Sequence, residues 1–230
     1  MIPLKDEIPT RRFPVVTASF IVINLLVFIY QLGLSQSETQ ELMLRFAFIP
    51  ALYTGHAQLP VGLATLPGLS IITSMFMHGG FMHVAGNMLY LWIFGDNIED
   101  YLGRVKFVIF YLVSGLAAVG LFTLTSWGST VPLIGASGAI AGILGAYLVL
   151  YPHARVQTLI FFFFITRIQV PAKILLGFWF IMQLLYGLPE LALNGAQGGG
   201  VAWFAHVGGF AFGYAYFRFT GKRAHWGYYS

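Results

Sequence analysis

Four side chains in this sequence could carry chemistry together: Ser137, His206, His83 and Asn87. A serine hydroxyl is a weak nucleophile until a base takes its proton, and histidine is the usual base. His83 and Asn87 stand four residues apart, so on a helix they share a face. Both carry side-chain N–H groups that could hold a developing oxyanion. The backbone N–H of Ser137, near the start of its helix, is a third donor. Nucleophile, base and oxyanion hole of an acyl-transfer site are therefore present. A carboxylate to orient the histidine, the usual third member, has no candidate. Glu38, Glu41 and Glu190 fall in loops on one side of the apolar segments, and Asp6, Glu7, Asp96, Glu99 and Asp100 on the other. The expected machinery is a Ser137–His206 dyad with packing orienting the ring.

Metal catalysis reads worse. The H-E-x-x-H pattern of a zinc protease is absent, His78 and His83 are five apart and face different ways, and no carboxylate shares their depth. Without cysteine, thiol catalysis, disulfides and thiolate metal sites are excluded. No metal and no cofactor is expected.

The elements that must position these groups are membrane spans. Charged residues make up 9% of the 230 and hydrophobic ones 58%, with a mean hydropathy of +0.78, against about 25% charged in a soluble domain. Twenty charges cannot cover a soluble protein of this size, which excludes an ordinary cytosolic enzyme, a disordered chain and a nucleic-acid-binding domain. A span needs about 20 apolar residues. Six segments qualify: 14–34, 71–95, 107–125, 133–151, 171–188 (stopped by Pro189) and 202–217 (stopped by Arg218). Val156–Ile165 is too short to span and reads as an interfacial or re-entrant piece. With six spans and the N-terminus inside, 11 of the 12 Lys and Arg lie inside and Arg45 alone outside; a seventh span would make the count 6 to 6. The positive-inside rule favours the former. The fold class expected is an all-α, polytopic six-transmembrane-helix bundle with both termini cytoplasmic. Its parts are an N-terminal segment 1–13, a membrane domain 14–220 and a C-terminal tail 221–230.

The first apolar run is too long for a signal peptide core and is expected to stay as a span. The first outer loop, Ser35 to Ser70, holds an amphipathic stretch, Glu41–Phe48, suited to the interface. The glycine-rich loop with Gly195 and Gly198–Gly200 reads equally as a flexible connector or a mobile cover over a site. Phe161–Phe164 reads as lipid-facing or interfacial, and the tail His225–Tyr229 as interfacial or disordered.

Helical rise, about 1.5 Å per residue, converts position into depth. His83 is 13 residues from Asp96 at the inner end of its span, Ser137 is 15 from Pro152, and His206 is 12 from Arg218. These separations amount to ~20, ~22 and ~18 Å, so three polar groups from three spans fall on one plane in the outer half of the bilayer. Polar groups inside a span are costly and mark function by default. Gly138 and Gly142, and Gly209 and Gly213, form G-x-x-x-G pairs that let helices approach closely, with Ser137 facing His206. Asn24, Ser114 and Gln183 read as interhelical hydrogen-bonding groups.

His83-Val-Ala-Gly-Asn87, Gly135-Ala-Ser137-Gly138 and Ala205-His206-Val-Gly-Gly209 with Gly213, on the second, fourth and sixth spans, resemble the rhomboid intramembrane serine proteases. Thr73–Gly80 is similar to the start of that family's second span. The resemblance covers about residues 14–220. It implies Ser137 as nucleophile, His206 as general base, His83 and Asn87 as oxyanion-hole side chains, a minor supporting role for His78 and a structural one for Glu99. It also implies substrates that are transmembrane helices of other proteins, cut near the outer face without metal or cofactor. The fifth span and the loop after it match the elements thought to open for substrate. Two positions depart from the family pattern. Leu69-Ser70 stands where many members have Trp-Arg, and Ala141 where some stack an aromatic under the histidine.

The partners expected are transmembrane protein substrates and the lipid bilayer, with no nucleic acid; oligomeric state is not legible. The setting expected is a prokaryotic plasma membrane. Two rivals are an inactive relative that binds membrane proteins, and a transporter, which would need polar groups across both leaflets.

Overall fold

The computed structural model describes residues 1–61, 63, 68–161, 165–192 and 201–220. The glycine run 198–200, the tail 221–230 and Phe162–Phe164 lie outside the described residues. Among the described residues the body is helical: α1 (Val15–Leu32), α2 (Gln36–Phe46), α3 (Pro50–Tyr53), α4 (Leu69–Thr73), α5 (Phe81–Leu102), α6 (Arg104–Thr125), α7 (Ser137–Leu150), α8 (Ala172–Ala192) and α9 (Trp203–Thr220). The chain is a membrane-embedded multi-pass protein. The segments Val15–Leu32, Arg104–Thr125 and Ala172–Pro189 are long and apolar enough to cross a bilayer, and Ser137–Leu150 is a shorter apolar helix. In α5 the apolar run is interrupted by His83 and Asn87, and in α9 by His206.

Two expectations need correction. The stretch 71–95 is not one helix. After α4 and a 3-10 turn, Ser74–Phe76, the chain breaks at Met77–Gly80 before α5 starts. The cause is local. Gln31 of α1 takes both backbone groups of His78, donating from Nε2 to its carbonyl at 3.1 Å and accepting its N–H at 3.0 Å. A side-chain amide thus replaces the helical partners that this segment gives up.

The all-α expectation also gives way, to a three-stranded antiparallel sheet of β1 (Ile2–Asp6), β2 (Arg155–Phe161) and β3 (Ile165–Pro171), in the order β1-β2-β3. Val156–Ile165 is therefore mainly strand. Ile2 faces Leu159 and Asp6 faces Val156 across one pairing, and Val156 faces Val170 across the other. The reason is a period of two: Val156 and Thr158 are buried while Arg155 and Gln157 are exposed, the alternation of a half-buried strand.

Polar side chains bind the N-terminal segment to the ends of α1, α5 and α7 and to β2. Glu99, 4% exposed, accepts from the backbone N–H of Val16 at 3.0 Å and of Thr17 at 2.7 Å. Those donors belong to the first turn of α1, which has no intrahelical acceptors and a partial positive charge. Asn97 donates to the Ile8 carbonyl at 3.1 Å, Glu7 accepts from the Arg155 N–H at 2.8 Å, and Tyr147 donates to Asp6 at 2.5 Å.

The amphipathic stretch lies largely in α2, closed by a Ser35/Glu38 capping box and an Arg45–Glu41 ion pair. Phe48 and Leu133 exchange backbone bonds at 3.2 and 2.7 Å, tying the first outer loop to the residues before Ser137. Where other sequences have Trp-Arg, Ser70 is buried and bonds Tyr53 Oη at 2.5 Å.

The core follows α5, α6, α7 and α9. Gly138 and Gly142 sit against Gly209 and Gly213. A Cβ on Gly209 would overlap the Gly138 carbonyl, and one on Gly213 the Gly142 carbonyl. Beneath the contact lie Leu91, Phe94, Ile143, Leu144, Tyr147 and Phe217, all buried.

Replacing Glu99 by Gln leaves at most one acceptor for two buried donors and should cost about 2 kcal/mol, read as a lower unfolding midpoint in detergent. Burial pushes the Asp6 carboxyl up from 3.8 to about 6. Its protonated form is favoured in the fold, so its stabilisation is complete below about pH 4 and lost as pH rises through 6. Hydrogen exchange at β1 should quicken across that window in wild type, and the change should shrink in Asp6→Asn.

Candidate active site

Ser137 is the first residue of α7, and its placement depends on the backbone before it. Gly135 has φ 118°, a conformation open to glycine and strained for other residues. A Cβ there would also lie 2.7 Å from His83 Nε2. Glycine at 135 is thus needed twice, for the turn into α7 and for the approach of the His83 ring. The Gly135 N–H is held by the Ser74 carbonyl at 2.8 Å, which moors this turn to the 3-10 segment. The first-turn N–H groups of α7, that of Ser137 included, point out of the helix start without intrahelical acceptors.

His206 lies in the first turn of α9, half-buried. Its Nε2 is 2.8 Å from Ser137 Oγ. The glycine contact between α7 and α9 brings the two together. Its Nδ1 is 2.8 Å from Gln183 Oε1 of α8, and Gln183 Nε2 donates to the Trp179 carbonyl one turn back at 2.9 Å. The Trp179 ring lies 5.8 Å from the His206 ring at 37°, and Trp203 meets it edge-on at 6.4 Å. Ala141, buried in α7, offers no ring; the aromatic neighbours come from α8 and from α9 itself.

His83 and Asn87 share one face of α5, as their spacing requires. Gly79 N–H approaches His83 Nδ1 at 3.5 Å, which leaves Nε2 as the N–H donor, on the side of Gly135. Asn87 Nδ2 bonds His78 Nε2 at 2.9 Å, using one of its two hydrogens. With the amide nitrogen facing it, His78 Nε2 accepts. His78 is buried behind the pair, its ring 5.0 Å from that of His83.

Ser137, His206, His83 and Asn87 all line one cavity of about 1170 Å³. Its rim carries the exposed Phe81, Met82 and Val131. The walls are mainly apolar, including Ile140, Leu144 and Trp179, and the polar groups gather at Ser137. The structure therefore brings together all four candidate residues. It also adds Gln183, which sequence reasoning set aside with Asn24 and Ser114. Asn24 bonds its own helix at the Phe20 carbonyl, and Ser114 Oγ is buried without a partner. Gln183 alone of the three reaches the site. A depth count from Pro189 would have placed it six residues in, but spacing within α8 does not reveal which face meets α9. Among the described residues no group of three His, Asp or Glu converges as a metal site would need.

The arrangement can do one thing readily. A proton on Ser137 Oγ can pass to Nε2 along a 2.8 Å line, and the His83 and Asn87 side chains line the same cavity.

Comparison with known proteins supports the family resemblance, with a family model that covers less of the chain than residues 14–220. The Rhomboid domain family model matches residues 68–223. The mitochondrial Rhomboid protein 1 of Saccharomyces cerevisiae is 34% identical over 163 residues, which is 67% of this chain and 42% of that protein. RHOMBOID-like protein 5 of Arabidopsis thaliana is 36% identical over 78 residues, 34% of this chain and 25% of that protein. The presenilin-associated rhomboid-like protein A of Danio rerio, also mitochondrial, is 35% identical over 89 residues, 38% of this chain and 23% of that protein. The matches span less than half the length of each of these relatives. The family match takes in all four site residues and every element from α4 to α9, and the chain belongs to the Rhomboid domain family.

Proposed function

We propose that the protein is an intramembrane serine endopeptidase acting on transmembrane helices of other proteins. The observation that carries this reading is the 2.8 Å contact between Ser137 Oγ and His206 Nε2 at one cavity. In the reaction, Ser137 Oγ attacks the scissile carbonyl as His206 Nε2 takes its proton. The carbonyl oxygen becomes an oxyanion, met by His83 Nε2–H, the Asn87 amide and the Ser137 backbone N–H. His206 returns the proton to the leaving amine and the C–N bond breaks. Water, activated by the same nitrogen, then hydrolyses the acyl-enzyme ester and restores Ser137.

The membrane setting follows from the same residues. Six spans with both termini inside remain the proposed topology, bounded by 1–13 and 221–230; the 11-to-1 distribution of Lys and Arg supports it. The sheet then lies on the inner side with Lys5, Arg155 and Arg167, and the cavity opens on the outer side. A prokaryotic plasma membrane rests on the sequence reading alone, whereas the yeast and zebrafish relatives are mitochondrial by name. A transport role is not favoured, because buried Leu91, Phe94, Ile143 and Leu144 separate the cavity from the inner carboxylates. Nor is a binding-only role, because both members of the dyad are present and in contact.

Purified protein in detergent should cleave a fluorescent transmembrane substrate with no loss on adding a chelator. Ser137→Ala and His206→Ala should each lower kcat by at least about 10³-fold; cleavage surviving in both would defeat the dyad. Asn87→Ala should lower kcat about 10²-fold while a fluorophosphonate probe still labels Ser137, which separates loss of oxyanion support from loss of the nucleophile.

A further inference from the structure

Among the described residues no carboxylate bonds His206, yet its orientation is not left to packing. We propose that Gln183 is a positioning residue that fixes the tautomer and the plane of the His206 ring, in the place that an acidic residue holds in a catalytic triad. The inference deepens the dyad reading and rests on it for its kinetic part.

The argument runs through three hydrogen bonds in series. The Trp179 carbonyl can only accept, so the group facing it at 2.9 Å is the Gln183 amide nitrogen. That assignment turns Oε1 towards His206 Nδ1 at 2.8 Å. Oε1 can only accept, so Nδ1 carries the ring proton. Nε2 is then the bare nitrogen, and it faces Ser137 Oγ at 2.8 Å. The chain of bonds from a helix carbonyl to the serine hydroxyl admits one direction for every proton. The opposite tautomer would set an N–H against the serine hydroxyl as a donor and face two lone pairs at Nδ1. Gln183 is 5% exposed, so water does not compete for its amide, and a strong local field acts on a bond so placed.

The choice of an amide also follows from depth. An ionised carboxylate buried among spans carries a heavy desolvation cost, whereas a neutral amide offers the same acceptor oxygen at less cost. Trp179, whose carbonyl anchors the amide, also lays its ring beside His206. One turn of α8 therefore supplies both the acceptor at Nδ1 and the aromatic neighbour, two jobs with no counterpart on α7 because Ala141 lacks a ring.

The test combines a spectrum of the unmodified protein with two variants. In detergent-solubilised wild type with ¹⁵N-labelled histidine at neutral pH, the His206 signal is identified by its loss in His206→Ala. The expected signal is an Nδ1–H imidazole; an Nε2–H imidazole overturns the proposal whatever the variants do. Gln183→Leu should lower kcat about 10- to 100-fold with KM within twofold. Gln183→Glu keeps an acceptor oxygen at the same reach and should recover most of that loss. A leucine variant within threefold of wild type, or equal losses in Leu and Glu, would overturn the proposal. Failure of the dyad itself is distinguished by Ser137→Ala and His206→Ala retaining cleavage, in which case the spectrum still reports the tautomer.

Discussion

Two helices touching along their backbones is the constraint on which the site depends. Gly138 and Gly142 of α7 meet Gly209 and Gly213 of α9 so closely that a Cβ on either residue of α9 would overlap a carbonyl of α7. In a bilayer there is no hydrophobic gain from pressing apolar helices together, since lipid is as apolar as leucine; close packing and short polar contacts must do it. The contact sets the separation of the first turns, where Ser137 and His206 sit, and so sets a 2.8 Å hydrogen bond that side-chain flexibility alone could not hold. A shift of 1 Å at such a distance removes the bond and is large on the catalytic scale. Gly135 adds the second requirement. Its φ of 118° turns the chain into α7 over the His83 ring, so nucleophile and oxyanion donor are positioned by the same residue.

The remaining elements hold that contact in register from both ends. At the end of the bundle near the N-terminus, Glu99 closes the start of α1, while Asp6 bonded to Tyr147 lashes β1 to α7. At the Ser137 end, the Phe48–Leu133 pairing and the Ser74–Gly135 bond hold the approach to Ser137 from two directions. Of these groups Leu133 lines the cavity and Gly135 abuts His83. Their common effect is that α7 cannot shift against β1 and the 3-10 segment without breaking polar bonds, each of which is expensive to leave unmade.

How much of this was legible in the sequence depends on the range of each interaction. Ser137, His206, His83 and Asn87 could be placed together because helical rise converts residue number into depth, and the arithmetic holds for any straight span. The glycine pairs were legible for the same reason, being periodic. The break at Met77–Gly80 was not, because it depends on Gln31, 47 residues away, and a hydropathy run continues unbroken across it. The sheet was missed because Val156–Ile165 was weighed by length against a bilayer rather than by alternation. Its partner β1 lies about 150 residues away in the chain, where no local signal can announce it. Gln183 was read as a hydrogen-bonding residue, which it is, but its partner is fixed by how α8 packs on α9. Spacing within a helix reports which residues share a face, not what that face meets.

The cavity bears on how a buried dyad could attack a helix at all. Every interior carbonyl of a transmembrane helix is bonded to an N–H four residues on, and in lipid a freed backbone group has no alternative partner and costs several kcal/mol. On the proposed reading, attack by Ser137 needs one such carbonyl released and turned towards His83, Asn87 and the α7 start. In water the same release costs about 1 kcal/mol per bond, because water takes the freed groups. A volume of about 1170 Å³ has room for tens of waters at about 30 Å³ each, and its polar groups lie together where the bond would be cut. The apolar walls suit the side chains of a membrane segment, and the polar floor suits its exposed backbone. Such a cavity lowers the cost of unwinding at the one place where unwinding is needed. A helix that already lacks bonds there, through glycine or proline, has less to lose and should be cut faster than a uniform leucine helix of the same length.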